Sequence, residues 1–365
     1  MIDIVLGLGQ GGCRIAKTFK EEFDVEKALY FNLAAVDFSQ FKVPIKQQFL
    51  INGSGTGRSP EIGERIVRNN YEKLVDFLDE NLPKKGKQNV CVAVGGGGGS
   101  GCGFLFPVLK YIRHRKWNAF TVITMPAKNE GLPAKPNALR TLNRLIKNYI
   151  GPKALPVMVV DNGYCIQRYG TPKTGMSESY WNRINTGIAK SLLRFWYLTN
   201  LERYTNFIDV TAGYGALDEN ELIRVMYSNG GFLDIREYIT EEPDLEEAAE
   251  AIFESLVFGN LDIKSTKAYI VAVGFPNRLR KDKRIQPFLE TIFERLQKLT
   301  KTPFVLRSSH FNSNIDDIRV NVLMAGLVRS KGLDRVLRQT RKDVKRYNSK
   351  GGIEMMNLDG IDFQG

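Results

Sequence analysis

The 365-residue sequence predicts an α/β protein with a mainly parallel sheet, divided into two domains. Three observations predict it. Runs rich in Val, Ile, Leu and Ala at 2–7, 28–36, 89–95, 119–127 and 154–162 mostly lack polar alternation, as expected of strands covered on both faces. Amphipathic segments alternate with these runs, which is the order of a parallel sheet with helices on both sides. The chain is also longer than the roughly 100–200 residues of an ordinary domain.

In order, the strand at 2–7 leads through a glycine loop into a helix over about 12–24, and a second strand follows at 28–36. A helix over about 60–80 begins with Ser59 as cap and Pro60 in the first turn. The strand at 89–95 precedes a second glycine run and a helix over about 103–115, and the strand at 119–127 precedes a helix over about 135–150. Ligands in such sheets bind at the carboxyl ends of the strands. From Tyr180 to about Asn200 the residues Ile184, Ile188, Leu192, Phe195, Trp196 and Leu198 surround a helix, which predicts burial on several sides, as for a helix wedged between domains. Downstream, Asp244 caps a helix that carries Leu245, Ala248, Ala249, Ile252, Phe253, Leu256 and Val257 to a terminator at Gly259. Strands at 231–239, 267–275, 302–308 and 317–327 then form a second sheet, packed by that helix and by one at 284–299.

Composition narrows the function. With 43% hydrophobic and 25% charged residues, and no apolar stretch near the ~18 residues of a membrane helix, a membrane span is excluded. The opening MIDIVLGLGQGG has no basic leader, and Cys13, Cys91, Cys102 and Cys165 form no CxxC pair, so a reducing cytoplasm is expected. Two histidines, His114 and His310, argue against histidine catalysis or a His-rich metal site. The excess of 52 basic over 40 acidic residues concentrates between Arg329 and Lys350, where nine Lys/Arg face two Asp. Residues 332–348 read as a basic helix with Leu333, Val336, Leu337, Val344 and Tyr347 on one side. Such a helix is a solvated face, or a contact for an anionic partner or a neighbouring subunit.

Two glycine loops carry the chemistry. The first, Gly7-Leu8-Gly9-Gln10-Gly11-Gly12-Cys13-Arg14, lies between a strand and a helix and can cradle phosphate on free N–H groups. Alone it also reads as a dinucleotide fingerprint, with Asp37 where a ribose-binding acid belongs, so a NAD-dependent oxidoreductase is the alternative from a different class. The second loop has seven glycines in the nine positions 95–103, which predicts close contact with a ligand. Two facing cradles suit a triphosphate. A Walker loop is absent, since the nearest run, GSGTGRS at 53–59, has the wrong spacing and Arg in place of Lys.

GGGSGCG, Gly97 to Gly103, resembles the signature of the tubulin/FtsZ family of polymerising GTPases, with Ser100 and Cys102 replacing two usual residues. NGSGTGRSPEIGER (52–65) is similar to that family's loop over the terminal phosphate, NEG (129–131) to its glutamate-glycine near the ribose, and VVDNGY (159–164) to the segment whose Asn reads guanine. The opening GQGGCRIA is most similar to the plasmid- and phage-borne TubZ branch. The resemblance implies a Rossmann-type GTPase domain at 1–178, a central helix at 179–201, a second α/β activation domain at 202–330 and a basic helical tail at 331–365. It implies GTP/GDP with Mg2+, held by Gly9, Gln10, Gly11, Gly12, Asp37, Gly55, Gly57, Gly97, Gly98, Gly99, Ser100, Gly101, Cys102, Gly103, Glu130, Asn162, Trp181 and Asn185, with Gln10 close to the metal. In this reading Asn162 and Asn185 recognise the base and Trp181, one turn before Asn185, stacks on it; otherwise they are a turn Asn, a polar helix position and a core Trp.

No Ser/His/Asp set lies near the glycines, so the acceptor that orients water comes from elsewhere. ALDENELIRVM (216–226) resembles the FtsZ loop that enters the adjacent subunit's nucleotide site, with Asp218 and Glu221 as the acids and Ala216 where FtsZ has Asn. The plain alternative is a helix amino terminus rich in acids. The resemblance further implies head-to-tail self-assembly, a TubR-like DNA-binding adaptor on centromere DNA, no membrane partner, and a plasmid- or phage-encoded protein in a bacterial cytoplasm. Its role is then to segregate plasmid DNA or to centre replicating phage DNA.

Overall fold

The computed structural model describes residues 2–23, 25–39, 42–51, 53–127, 130–131, 133–149, 155–169, 184–192, 219–228, 231–256, 261–302, 305–312, 315–327, 331–349, 358 and 361. Its first half is a parallel sheet of β1 (Ile4–Leu8), β2 (Lys27–Asn32), β3 (Gln48–Leu50), β4 (Asn89–Gly95), β5 (Asn118–Met125) and β6 (Val157–Asp161). All pairings among these six strands are parallel, in the spatial order β3-β2-β1-β4-β5-β6. The side chains of β1, β2, β4, β5 and β6 are largely buried on both faces, as the apolar runs require. β3 has no counterpart among the expected strands: three residues, Gln-Phe-Leu, are too few to show a period.

The connecting helices are α1 (Gly9–Phe23), the short α2 (Ala35–Ser39), α3 (Pro60–Asn69), α4 (Tyr71–Asn81), α5 (Gly99–His114), α6 (Ala134–Tyr149) and α7 (Asn162–Tyr169). α1 and α5 begin at the glycine loops themselves, several residues before their expected starts. Ser59 caps α3 by accepting the Ile62 N–H at 3.2 Å, and Pro60 occupies the first turn. The single helix expected over 60–80 is two helices. Asn70 breaks it with φ −119° and ψ 27°, and its side-chain amide donates to the Ile66 carbonyl at 2.9 Å, closing the end of α3.

Residues 184–192 form α8, with Ile184, Ile188, Ala189 and Leu192 buried; the rest of the expected central helix lies outside the described residues. α9 (Glu219–Ser228) leads into β7 (Phe232–Thr240), followed by α10 (Leu245–Ala249), β8 (Glu254–Ser255), β9 (Ala268–Pro276), α11 (Ile285–Thr300), β10 (Val305–Asn312), β11 (Ile318–Leu327) and α12 (Lys331–Asn348).

Two expectations are corrected here. The second sheet is continuous with the first, because β7 pairs with β6 in parallel over Val157–Phe232 and Met158–Leu233. The sheet then continues as β7-β11-β9-β10, partly antiparallel. The helix expected from Asp244 to Gly259 stops at Ala249. Asp244 does cap it, accepting the Glu247 N–H at 2.9 Å. Beyond it Ala251 and Phe253 are buried while Ile252 and Glu254 are exposed, the alternation of extended chain, and Glu254–Ser255 pair with β7. Arg236 holds this stretch by donating to the Phe253 and Leu261 carbonyls, both at 3.0 Å, and to Asp234 at 2.8 Å.

α12 forms as expected, but its apolar side is already occupied. Leu333, Leu337 and Val344 are buried in the protein's own core, and Val336 packs against it. Arg341 donates to the carbonyls of Leu358 at 3.2 Å and Ile361 at 3.0 Å, whose side chains are also buried. The stripe is therefore an intramolecular contact except at Tyr347, which is exposed, and α12 also offers outward Arg338, Lys342, Lys345 and Arg346. Among the described residues no helix is long and apolar enough to cross a membrane.

Candidate nucleotide site

The loops that follow β1, β4, β5 and β6 open at the carboxyl ends of these strands and meet the 53–59 segment and α8 around a cavity of about 480 Å³. Of the residues expected at a nucleotide, Gly9, Gln10, Gly11, Asp37, Gly55, Gly57, Gly97, Gly98, Gly99, Ser100, Gly101, Glu130, Asn162 and Asn185 line it. They come from widely separated parts of the chain. Trp181 and Asp218 lie outside the described residues. Glu221 sits half-buried on α9, away from this cavity's lining.

Gly12, Cys102 and Gly103 are not among the lining residues, and each has a structural reason. A Cβ on Gly12 would stand 2.1 Å from the Ala93 carbonyl oxygen, so this glycine lets α1 lie against β4. A Cβ on Gly103 would stand 2.5 Å from the carbonyl carbon of Gly63, where α3 crosses α5. The Cys102 thiol is buried and donates to the Gly96 carbonyl at 3.1 Å; burial pushes its pKa up to about 12, with a hydrogen bond from Thr141 opposing. It faces a second cavity of about 330 Å³ lined in part by Glu64, Phe106 and Arg144.

The glycine richness thus has two causes, where the sequence suggested one. Gly101 would place a Cβ 2.6 Å from the Leu8 carbonyl and Gly9 one 2.6 Å from the Gly101 nitrogen, so the two loops pack backbone to backbone. By contrast a Cβ on Gly98 meets only the Gly95 carbonyl oxygen, at 3.7 Å, and one on Gly57 meets nothing within 4 Å. These two leave the cavity open, and Gly57 also needs its left-handed φ of +58°.

At another part of the cavity, Asp161 caps α7 by accepting the N–H groups of Gly163 at 2.8 Å and Tyr164 at 3.2 Å. That places the buried Asn162 at the start of the helix, where its side-chain amide donates to Glu130 Oε1 at 2.8 Å. The same carboxylate oxygen accepts the Ala127 N–H at 2.7 Å, which holds Glu130 in place. Asn185 reaches the cavity from α8 and is also buried. Burial raises the Asp37 pKa, opposed by a hydrogen bond from Asn32 and by the Arg14 charge.

Sequence reasoning missed Arg14, Thr56, Arg58 and Thr124 in the lining. It also missed Asn137, a buried residue of α6 whose amide donates to the Arg58 carbonyl at 2.7 Å and the Gly97 carbonyl at 3.4 Å. Arg14 was visible within the first loop; Asn137 carries no local signal, because its partners lie 79 and 40 residues away. Among the described residues no group of three or more His, Cys, Asp or Glu could hold a metal. Mg2+ with a nucleotide does not need one, since it keeps several waters and takes oxygens from phosphate.

Residues 3–149 match the Tubulin/FtsZ family, GTPase domain. The chain is 28% identical over 279 residues to cell division protein FtsZ 1 of Pyrococcus furiosus, covering 74% of this chain and 67% of that one. It superposes with a TM-score of 0.79 on the GTPγS-form protofilament of Bacillus thuringiensis serovar israelensis TubZ, at 18% identity over 96% of this chain and 94% of that one. With the GTPγS-bound protofilament of CetZ2 from Haloferax volcanii the TM-score is 0.72, at 19% identity over 95% of this chain and 100% of that one.

Proposed function

We propose that this chain, a tubulin/FtsZ-family GTPase by its residues 3–149, binds GTP in the 480 Å³ cavity and hydrolyses it at the junction between head-to-tail subunits of a filament. The observation that carries this reading is the meeting of two glycine loops and the 53–59 segment with the Asn162–Glu130 pair in one cavity. The glycine loops take the phosphates, because their N–H groups and the starts of α1 and α5 favour anions. Asn162 spends an amide hydrogen on Glu130, which leaves its carbonyl oxygen as acceptor. An acceptor complements the N1–H and N2–H2 donors of guanine, positions where adenine presents a ring-nitrogen acceptor and a C–H. Gln10 supplies one side-chain oxygen near the phosphates, enough for a Mg2+ that is otherwise bound by water and phosphate.

In this reading residues 1–178 bind nucleotide, 179–201 connect, 202–330 activate and 331–365 form the tail. Glu221 and Asp218 orient the attacking water in the next subunit's site, so an isolated subunit holds nucleotide but turns it over poorly. The cargo is plasmid or phage DNA in a bacterial cytoplasm, recruited through a DNA-binding adaptor. Supporting this are the opening GQGGCRIA, which resembles the TubZ branch, and the outward cations of α12. A second reading, a cytoskeletal element of cell division, is favoured by the 28% identity to FtsZ 1.

GTP-dependent pelleting followed by electron microscopy, in parallel with ATP, tests the core of the proposal. Filaments and phosphate release with GTP alone are expected; equal response to ATP, or none to GTP, sinks it. Adding centromere-like DNA with its adaptor separates the two cellular roles, since only a segregating filament recruits that complex.

A further inference from the structure

Among the described residues, the cavity's lining contains two cationic side chains, Arg14 and Arg58, against Asp37 and Glu130. Arg14 lies where its charge acts on the Asp37 carboxylate. A nucleoside triphosphate brings several negative charges, and hydrolysis shifts charge onto the oxygens around the bond that breaks. Arg58 is the other cation of the described lining. Its guanidinium is exposed and donates a long, 3.4 Å hydrogen bond to a neutral partner, the Glu130 carbonyl.

Its backbone, in contrast, is held firmly. Arg58 has a left-handed φ of 65°, unusual outside glycine, and follows Gly53, Gly55 and Gly57 at +71°, +78° and +58°. Asn137 ties the Arg58 carbonyl to the second glycine loop through its bonds to Arg58 and Gly97. The 53–59 segment also presses on that loop: a Cβ on Gly99 would stand 2.1 Å from Thr56 Oγ1 and 2.8 Å from the Ser59 nitrogen. A fixed backbone with a loosely parked guanidinium is an arrangement that can deliver a cation to one place.

We propose that Arg58 is the residue that stabilises the charge developing on the terminal phosphate, leaving the Glu130 carbonyl to do so, and that Asn137 is the positioning residue that aims it. The inference rests on the phosphate placement given under the proposed function. In the reaction, the water oxygen bonds to the γ-phosphorus while the bond from that phosphorus to the bridging oxygen breaks. The electron pair leaves on the bridging oxygen of GDP, and the water proton passes to the released phosphate and solvent. Arg58 donates hydrogen bonds to oxygens that gain charge.

The test compares Arg58→Ala, Arg58→Lys and Asn137→Ala with wild type. Nucleotide affinity is measured below the assembly threshold with labelled GTP and GDP, and phosphate release above it. Arg58→Ala is expected to lower phosphate release per assembled subunit by about 10²–10³-fold, the usual loss for a donor that acts in the transition state. GDP affinity should stay within about twofold, because GDP lacks the phosphate that Arg58 meets. Lysine should recover GTP affinity better than turnover, since an ammonium is a point charge without the planar fork. Asn137→Ala should lower turnover in the same direction, and combining it with Arg58→Ala should add little, because the two act as a unit. Arg58 is exposed, so its substitution leaves the fold intact even where that of the buried Asn137 does not. Unchanged phosphate release in Arg58→Ala, or equal losses of GTP and GDP affinity, overturns the proposal. Failure of wild type to release phosphate from GTP would instead overturn the reading on which it rests.

Discussion

At the scale of single residues, similar glycines have unlike roles. Gly101→Ala drives a Cβ to 2.6 Å from a main-chain oxygen, whereas Gly98→Ala meets its nearest neighbour at 3.7 Å. The first is expected to lower stability by about 1–3 kcal/mol, as overpacking does, and the second to weaken GTP binding with little effect on the fold. Thermal unfolding without nucleotide, beside nucleotide titration, distinguishes them; similar melting temperatures for both variants would refute the assignment. His310 makes a separate prediction. It is buried on β10 with neither ring nitrogen hydrogen-bonded to a described residue, and burial depresses its pKa from 6.5 to about 4. Between those values the unfolded chain binds a proton that the folded chain does not, so stability falls as pH drops from about 6.5 towards 4. The loss is on the order of 3 kcal/mol. His310→Phe should flatten denaturation midpoints across that window, and an unchanged slope would show that another group titrates there.

At the scale of elements, α3 carries the 53–59 segment and is tied to α6 through Glu64, which binds Arg144 at 2.9 Å as well as Arg68 on its own helix at 2.6 Å. Burial works against this carboxylate, but the hydrogen bonds and charges of the two arginines outweigh it and hold the pKa below the ordinary value. Its stabilising effect is therefore present above the ordinary value of 4.5 and is lost as pH falls through the lower, folded value. Glu64→Gln should lower stability at neutral pH and reduce the acid slope below that range; acid titrations that superimpose on wild type would count against it. α12 requires a different expectation from a free tail. Leu333, Leu337 and Val344 are buried, at about 1.5–3 kcal/mol each, so truncation at 331 should lower the melting temperature markedly. Alanines at the exposed Arg338, Lys342, Lys345 and Arg346 should instead leave melting nearly unchanged and, if the segregating role proposed above holds, weaken salt-sensitive recruitment of adaptor-bound DNA. Pelleting at low and high salt reads this directly, and full recruitment by the alanine variant would remove α12 from the partner surface.

At the scale of the whole molecule, the candidate acid Glu221 lies on α9 outside the lining of the proposed nucleotide cavity, so under the proposed function hydrolysis should rise steeply with protein concentration. Glu221→Ala is expected to assemble into long-lived filaments with little phosphate release, and turnover per subunit that stays constant below the assembly threshold would refute the arrangement. The sequence by itself determined the parallel half of the fold and its glycine loops, because strands buried on both faces and loops against an anion constrain local composition. It also marked Glu130, Asn162 and Asn185, through motifs that resemble a known family. Only the tertiary structure decided which glycines serve packing, that Cys102 turns away from the site, that β6 joins the two sheet halves and that the apolar side of α12 is buried. Asn137 and Arg58 belong to the same group. In each case the deciding partner is distant in sequence and no local period records it, and sterics and hydrogen bonding act on whatever folding brings within reach.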